Sequence, residues 1–149
     1  MLFLFALLGC PSDPPKDDTA DPDDTSAGAL PGPSGAGRQT RDCAPDDGAA
    51  VEVIIGLDGA GCDVSYSGVP HVRVTMWTAW PLAAGTYPFD SSNASAFLSV
   101  DGVLEDIVSG GELVIAADGS GSYTVDVQGG DTHEGTFTLE SCDSDIMCG

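Results

Sequence analysis

From Val51 onward, apolar and polar residues alternate. Val51, Val53, Ile55 and Leu57 form one such set, and Val72, Val74 and Met76 a second. Tyr123, Val125 and Val127 interleave with Thr124, Asp126 and Gln128, and Phe137 and Leu139 with Thr136, Thr138 and Glu140. A repeat of two puts every second side chain on one face of an extended chain, so these runs predict strands with one buried face. Gly and Asp punctuate them at Asp58-Gly59, Asp101-Gly102, Asp118-Gly119 and Gly129-Gly130. Asp-Gly supplies the left-handed backbone of tight turns. Strands are expected near 51–57, 62–67, 71–79, 85–90, 95–100, 103–108, 112–117, 120–128 and 132–140, with Val100-Asp101-Gly102-Val103 as a two-residue hairpin. So many short strands predict an all-β fold, an antiparallel β-sandwich or, alternatively, a small β-barrel. Gly85-Thr86-Tyr87, Gly121-Ser122-Tyr123 and Gly135-Thr136-Phe137 are alike, but their unequal spacings of 36 and 14 exclude a propeller or solenoid.

Ahead of the alternating part, residues 11–41 hold no apolar residue larger than Leu30. Asp13-Pro14-Pro15-Lys16-Asp17-Asp18 and Asp21-Pro22-Asp23-Asp24 give way to Gly, Ala, Pro and Ser. Such a stretch buries too little surface to offset its chain entropy, and it is expected to be a disordered linker. Its 31 residues would span on the order of 90 Å as polyproline II. The expected division is therefore 1–9, 10–41 and 42–149, the last long enough for one core.

The longest uninterrupted apolar run is Met1 to Leu8, far short of the roughly 20 residues a spanning helix needs. An apolar stretch that closes on a small residue is what an export signal presents to its peptidase. Leu7-Leu8-Gly9-Cys10 resembles the lipobox of bacterial lipoprotein precursors. The resemblance implies that 1–9 is a signal peptide and that the Cys10 sulfur receives a diacylglyceryl group. It also implies an acyl chain such as palmitate on the new amino terminus. Each buried CH₂ contributes about 0.8 kcal/mol, and two or more chains hold a protein on a membrane where one does not. Pro11 stands where that family's inner-membrane retention signal has Asp, so the resemblance implies a bacterial envelope protein of the outer membrane or cell surface. The Gly-Thr-Tyr segment, the Gly-rich turns and the terminal Gly-Thr-Phe strand ending in Cys look similar to small β-sandwich domains of uncharacterised bacterial lipoproteins. That similarity brings no catalytic residue with it.

Charge narrows the function. Against 24 Asp and Glu there are 4 Lys and Arg, a formal charge of −20. Phosphate contacts need clustered bases, so nucleic acid is excluded as a partner. From residue 42 on, Arg73 is the only basic residue. It runs out of phase with Val72 and Val74 and is expected on the exposed face beside a carboxylate. Asp58, Asp63 and Asp118 are weak calcium candidates, since calcium prefers several carboxylate and carbonyl oxygens. No D-x-[DN]-x-[DN]-G loop accompanies them, and Asp before Gly is ordinary turn chemistry.

Export also bears on the cysteines. With Cys10 assigned to lipid, Cys43, Cys62, Cys142 and Cys148 remain, which predicts two disulfides. Of the three pairings, Cys43–Cys142 with Cys62–Cys148 is expected, because Cys43 precedes the first strand and Cys142 follows the last. His71 and His133 are expected at the surface or in turns, and no G-x-S-x-G, H-E-x-x-H or Cys–His pair accompanies them. Aromatic residues gather at Tyr66, Trp77, Trp80, Tyr87 and Phe89. Trp77 runs out of phase with Met76. It is expected either on a covered second face or, beside Trp80, in a patch that stacks on a sugar ring or a protein partner. The function expected is a lipid-anchored envelope protein acting as a non-enzymatic binding or structural module. The alternative is a carbohydrate-directed hydrolase with two carboxylates about 5 to 9 Å apart.

Overall fold

A computed structural model describes residues 32–57 and 62–148. These residues form strands β1 (Gly35–Cys43), β2 (Ala49–Leu57), β3 (His71–Met76), β4 (Gly85–Pro88), β5 (Ala94–Ser99), β6 (Asp106–Ile115), β7 (Ser120–Val127) and β8 (Thr132–Cys142). The pairing runs β6-β5-β3-β2-β1-β8-β7 and returns to β6, which closes a seven-stranded barrel. Short β4 is the extra strand, on the edge of β6 beyond the end of β5. The fold is therefore all-β and the barrel alternative, one continuous ring of hydrogen bonds, rather than the sandwich. Closure runs through β6. Its first two residues pair with β5, and its length from Val108 to Ile115 pairs with β7. The register shifts between Val108 and Gly110, and Gly111 follows at φ +117°. A Cβ at Gly111 would run into the Thr124 carbonyl, so only glycine lets the strand bend there.

β1 begins inside the stretch 10–41 expected to be linker and ends at Cys43, so the folded part begins before residue 42. Gly35–Cys43 pairs with β2 antiparallel and with β8 parallel. Its inward positions include Gly37 and Gln39, which give no apolar alternation. Gln39 is buried, yet its amide is satisfied. Nε2 donates to Ser141 Oγ at 2.9 Å, and Oε1 accepts the Leu82 N–H at 2.7 Å. A buried polar side chain with its partners in place replaces the apolar residue that periodicity looks for. The lipobox, Cys10 and the acidic part of the linker lie outside the described residues.

Other expectations shift as well. Residues 62–67 form no strand, and 103–108 and 112–117 join in the single bent β6. The expected hairpin at 100–103 is a wider loop, because β5 stops at Ser99 and β6 starts at Asp106. Asp101 Oδ1 accepts the N–H groups of Val103 and Leu104 at 2.8 and 2.9 Å and shapes the turn.

The barrel interior is apolar. Val51, Val53, Ile55, Val72, Val74, Leu98, Leu113 and Val125 have no exposed surface. Each buried side chain of this kind contributes about 1.5–3 kcal/mol of transfer free energy. Trp80, Tyr87, Val108, Val127 and Leu139 pack against this core from its edges.

Ile54 is also fully buried, but on the opposite face of β2 from Val53 and Ile55. Arg38 sits beside it in register on β1 and donates to the Cys62 and Val64 carbonyls at 2.7 and 2.8 Å. Residues 62–64 of the β2–β3 connection thus lie against the outer wall as a strap. The strap overturns the expected cysteine pairing. The disulfides are Cys43–Cys148 and Cys62–Cys142, each with Cα atoms 5.5 Å apart. Parallel pairing sets Cys142 beside Thr40, not Cys43, and the strap brings Cys62 to it. The residues after β8 then reach Cys43 through Cys148.

Candidate functional site

The strand directions set two rims. At one, Gly32 enters beside the β2–β3 connection, the β5–β6 loop and the β7–β8 turn. At the other lie the β1–β2 turn, residues 77–84, the β6–β7 turn and the carboxyl-terminal segment.

The second rim carries a pocket of about 380 Å³. Ala49, Ala50, Ala79, Trp80 and Ile146 give it apolar walls, and Arg41 and Asp42 give it opposite charges. The Arg41 guanidinium lies 4.6 Å from the centre of the Trp80 ring and pairs with Asp143 at 3.3 Å. Cations are drawn to the electron-rich face of indole, so Arg41 and Trp80 hold each other in place. The Trp80 Nε1–H is enclosed without a hydrogen-bond partner. A concave apolar slot with a few convergent polar groups is the usual form of a small-ligand site.

Asp42 connects this pocket to a charged line on the outer wall. Asp42 and Glu52 lie on adjacent strands, with Thr75 across from Glu52 on β3. Burial pushes the Glu52 carboxyl above the usual carboxylate range, and Asp42 adds to the rise, while Arg73 and Arg38 oppose it. Farther along, Arg73 donates to both Glu105 oxygens, at 3.2 and 2.5 Å. The Arg73 hydrogen bond is the main cause that holds the Glu105 carboxyl below the usual range, with His71 adding less. The expected placement of Arg73 beside a carboxylate is therefore met.

The histidines are not surface residues. His71 and His133 are both buried. His71 Nδ1 lies 2.8 Å from the Val69 carbonyl, and Nε2 lies 3.1 Å from Glu105 Oε1. Both partners are acceptors, so both contacts are hydrogen bonds only when both ring nitrogens carry a proton. A pocket of about 400 Å³ beside this pair includes Ser65, Tyr66 and Ser67. The two ring nitrogens point at Val69 and Glu105 and not at either serine. His133 Nδ1 is enclosed without a partner.

The sequence candidates separate. Trp80 lines the pocket, whereas Trp77 follows the end of β3 and is half-buried, its backbone N–H donating to the Asn93 carbonyl at 2.8 Å. Asp58 lies outside the described residues. Asp63 is exposed, and the Asp118 carboxylate accepts from the Ser120 N–H and hydroxyl at 3.0 and 2.6 Å. Among the described residues, no three His, Cys, Asp or Glu side chains converge to hold a metal ion.

Sequence reasoning missed Arg38, Arg41 and Ile146. The two arginines fell in the presumed linker, and Ile146 sits in an irregular tail. The Arg38-Gln39-Thr40-Arg41 run, the first basic cluster after the acidic segment, was the available signal. Fold and pocket together define a small closed β-barrel with a rim pocket. No family model, no curated protein and no solved structure matches the chain.

Proposed function

We propose that this chain is a lipid-anchored protein of the bacterial envelope, held by Cys10 at the outer membrane or cell surface. Its barrel is a non-enzymatic binding module that takes a ring-bearing ligand, a sugar or an aromatic peptide side chain, in the Trp80 pocket. The observation that carries the binding role is the slot itself, with indole and alanine walls between Arg41 and Asp42. The lipobox resemblance supports the anchor, and two disulfides suit an oxidising compartment. A glycan and peptide array probed with the full chain tests the binding role. Trp80→Ala should abolish retention on the selected ligand while circular dichroism stays unchanged. Equal retention by the variant would remove the pocket from the account.

One observation favours the hydrolase alternative. Glu52, whose carboxyl burial pushes above the usual carboxylate range, lies on the strand next to a second carboxyl group, Asp42, a pair of acids in unlike surroundings. Release of reducing sugar from envelope glycans that Glu52→Gln abolishes would establish it.

A further inference from the structure

The loop between β5 and β6, together with the start of β6, exposes large apolar side chains on a strongly acidic protein. Val100 is 50% exposed, Val103 79%, Leu104 70% and Ile107 56%. Isolated exposed apolar residues are ordinary, but a contiguous set marks an interaction surface.

The loop is built to hold these side chains outward. Asp101 fastens the Val103 and Leu104 amides. Gly102 accepts a hydrogen bond from the Gly68 N–H at 3.1 Å, and a Cβ at Gly102 would collide with Gly68 and Val69. Glu105 is tied to both His71 and Arg73. Two amides at the tip, those of Val103 and Leu104, are thus satisfied internally, which lowers the cost of taking their side chains out of water.

Its place in the fold narrows what covers it. The loop lies on the rim where Gly32 enters, and Cys10 stands 22 residues upstream of Gly32. A tether of 22 residues lets an acylated Cys10 bring the bilayer to either rim, and the two differ in what they expose: four large apolar side chains here, and on the Trp80 rim two, Ile146 and Met147 of the tail. Four side chains are few for a protein–protein contact, which covers about 800 Å² per partner. They suffice to orient a domain already tethered, because tethering replaces a bimolecular association by a local one. Glu105 is paired, but Asp101 and Asp106 remain acidic, so the favoured surface is zwitterionic rather than anionic.

We propose that Val100, Val103, Leu104 and Ile107 dip into the zwitterionic phospholipid surface that anchors Cys10, so that the barrel stands with its Trp80 pocket facing away. The proposal rests on the lipid-anchor reading above. The test uses the full acylated chain in phosphatidylcholine vesicles whose acyl chains are brominated near the headgroup. Leu104→Trp places a reporter in the loop, and Ala117→Trp places one in the β6–β7 turn on the opposite rim. Bromolipid should remove about half of the emission added by Leu104→Trp, as expected for insertion at the headgroup boundary, and leave that of Ala117→Trp unchanged. Vesicle-bound protein with equal quenching of both reporters, or of neither, overturns the orientation. A blue-shifted Leu104→Trp emission without bromolipid quenching means that protein, a second copy or a partner, covers the loop, and it overturns the proposal too. Fatty-acid probe incorporation is measured on the same sample. Failure to incorporate it defeats the anchor and the inference with it, whereas incorporation without quenching defeats the inference alone.

Discussion

Two irregular segments at opposite rims of the barrel, the carboxyl-terminal tail and the β5–β6 loop, are fixed by different chemistry. On the rim opposite Gly32, the carboxyl-terminal segment is fastened covalently by Cys43–Cys148, and the Trp80 ring is held against the core under Arg41. On the rim where Gly32 enters, the β5–β6 loop is held by Glu105, through hydrogen bonds from Arg73 and His71. A disulfide ignores pH and salt and yields to reductant. A charge-assisted network ignores reductant and yields to acid. The carboxyl-terminal tail thus answers to reductant and the β5–β6 loop to acid.

The largest expected effect falls on the covalent rim. Cys62–Cys142 is nested within the Cys43–Cys148 loop, so the ring that the outer bridge closes in an unfolded chain is short. It runs from Cys43 to Cys62 and from Cys142 to Cys148, about 25 residues, for about 3–4 kcal/mol of chain entropy. Cys43→Ala with Cys148→Ala should lower the unfolding free energy by that amount in a urea titration. A loss under 1 kcal/mol would mean that the tail is not fastened through this bridge.

Next comes Glu105→Ala, which leaves Arg73 and buried His71 without their shared acceptor. It should cost about 1–3 kcal/mol and raise hydrogen exchange at residues 100–105 above that of the Trp80 rim. Uniform exchange over both rims would contradict the division.

Acid sharpens the same contrast. The folded-state pKa of Glu105 lies below its ordinary value of 4.5. Its stabilisation is therefore complete above 4.5 and fades as pH falls through the lowered value. Stability of the native protein should drop in that window, and Glu105→Gln should flatten the drop. Glu52 acts with opposite sign. Its raised pKa favours the folded state in acid, and above the raised value its ionised form is a penalty. Glu52→Gln should consequently raise stability at neutral pH by a few tenths to about 1 kcal/mol after screening, the smallest effect of the set. Thermal melts of the variant at pH 4 and pH 7 check it.

The alternating strands were legible because their inward positions are Val, Ile, Leu, Tyr and Phe. β1 was hidden because its buried positions, Gly37 and Gln39, depend on partners at Ser141 and Leu82 far along the chain. β6 read as two strands because its bend at Gly110–Gly111 breaks the period. Sandwich and barrel share one residue pattern, and only the β6–β7 pairing that closes the ring separates them. Trp80 was legible as an exposed-aromatic candidate. Its pocket was not, because Arg41 comes from the unrecognised strand and Ile146 from the tail beyond the last. Arg73 could be assigned a carboxylate from its phase, but which carboxylate depends on a loop that returns 32 residues later.

Whether Cys10 carries lipid decides whether either rim faces a membrane at all. Metabolic labelling with an alkyne fatty acid, on the native chain and on Cys10→Ser, measures it directly. Label that stays with the native chain in the membrane fraction and disappears from Cys10→Ser is the predicted result. An unlabelled native chain, or equal label on both, would contradict the account.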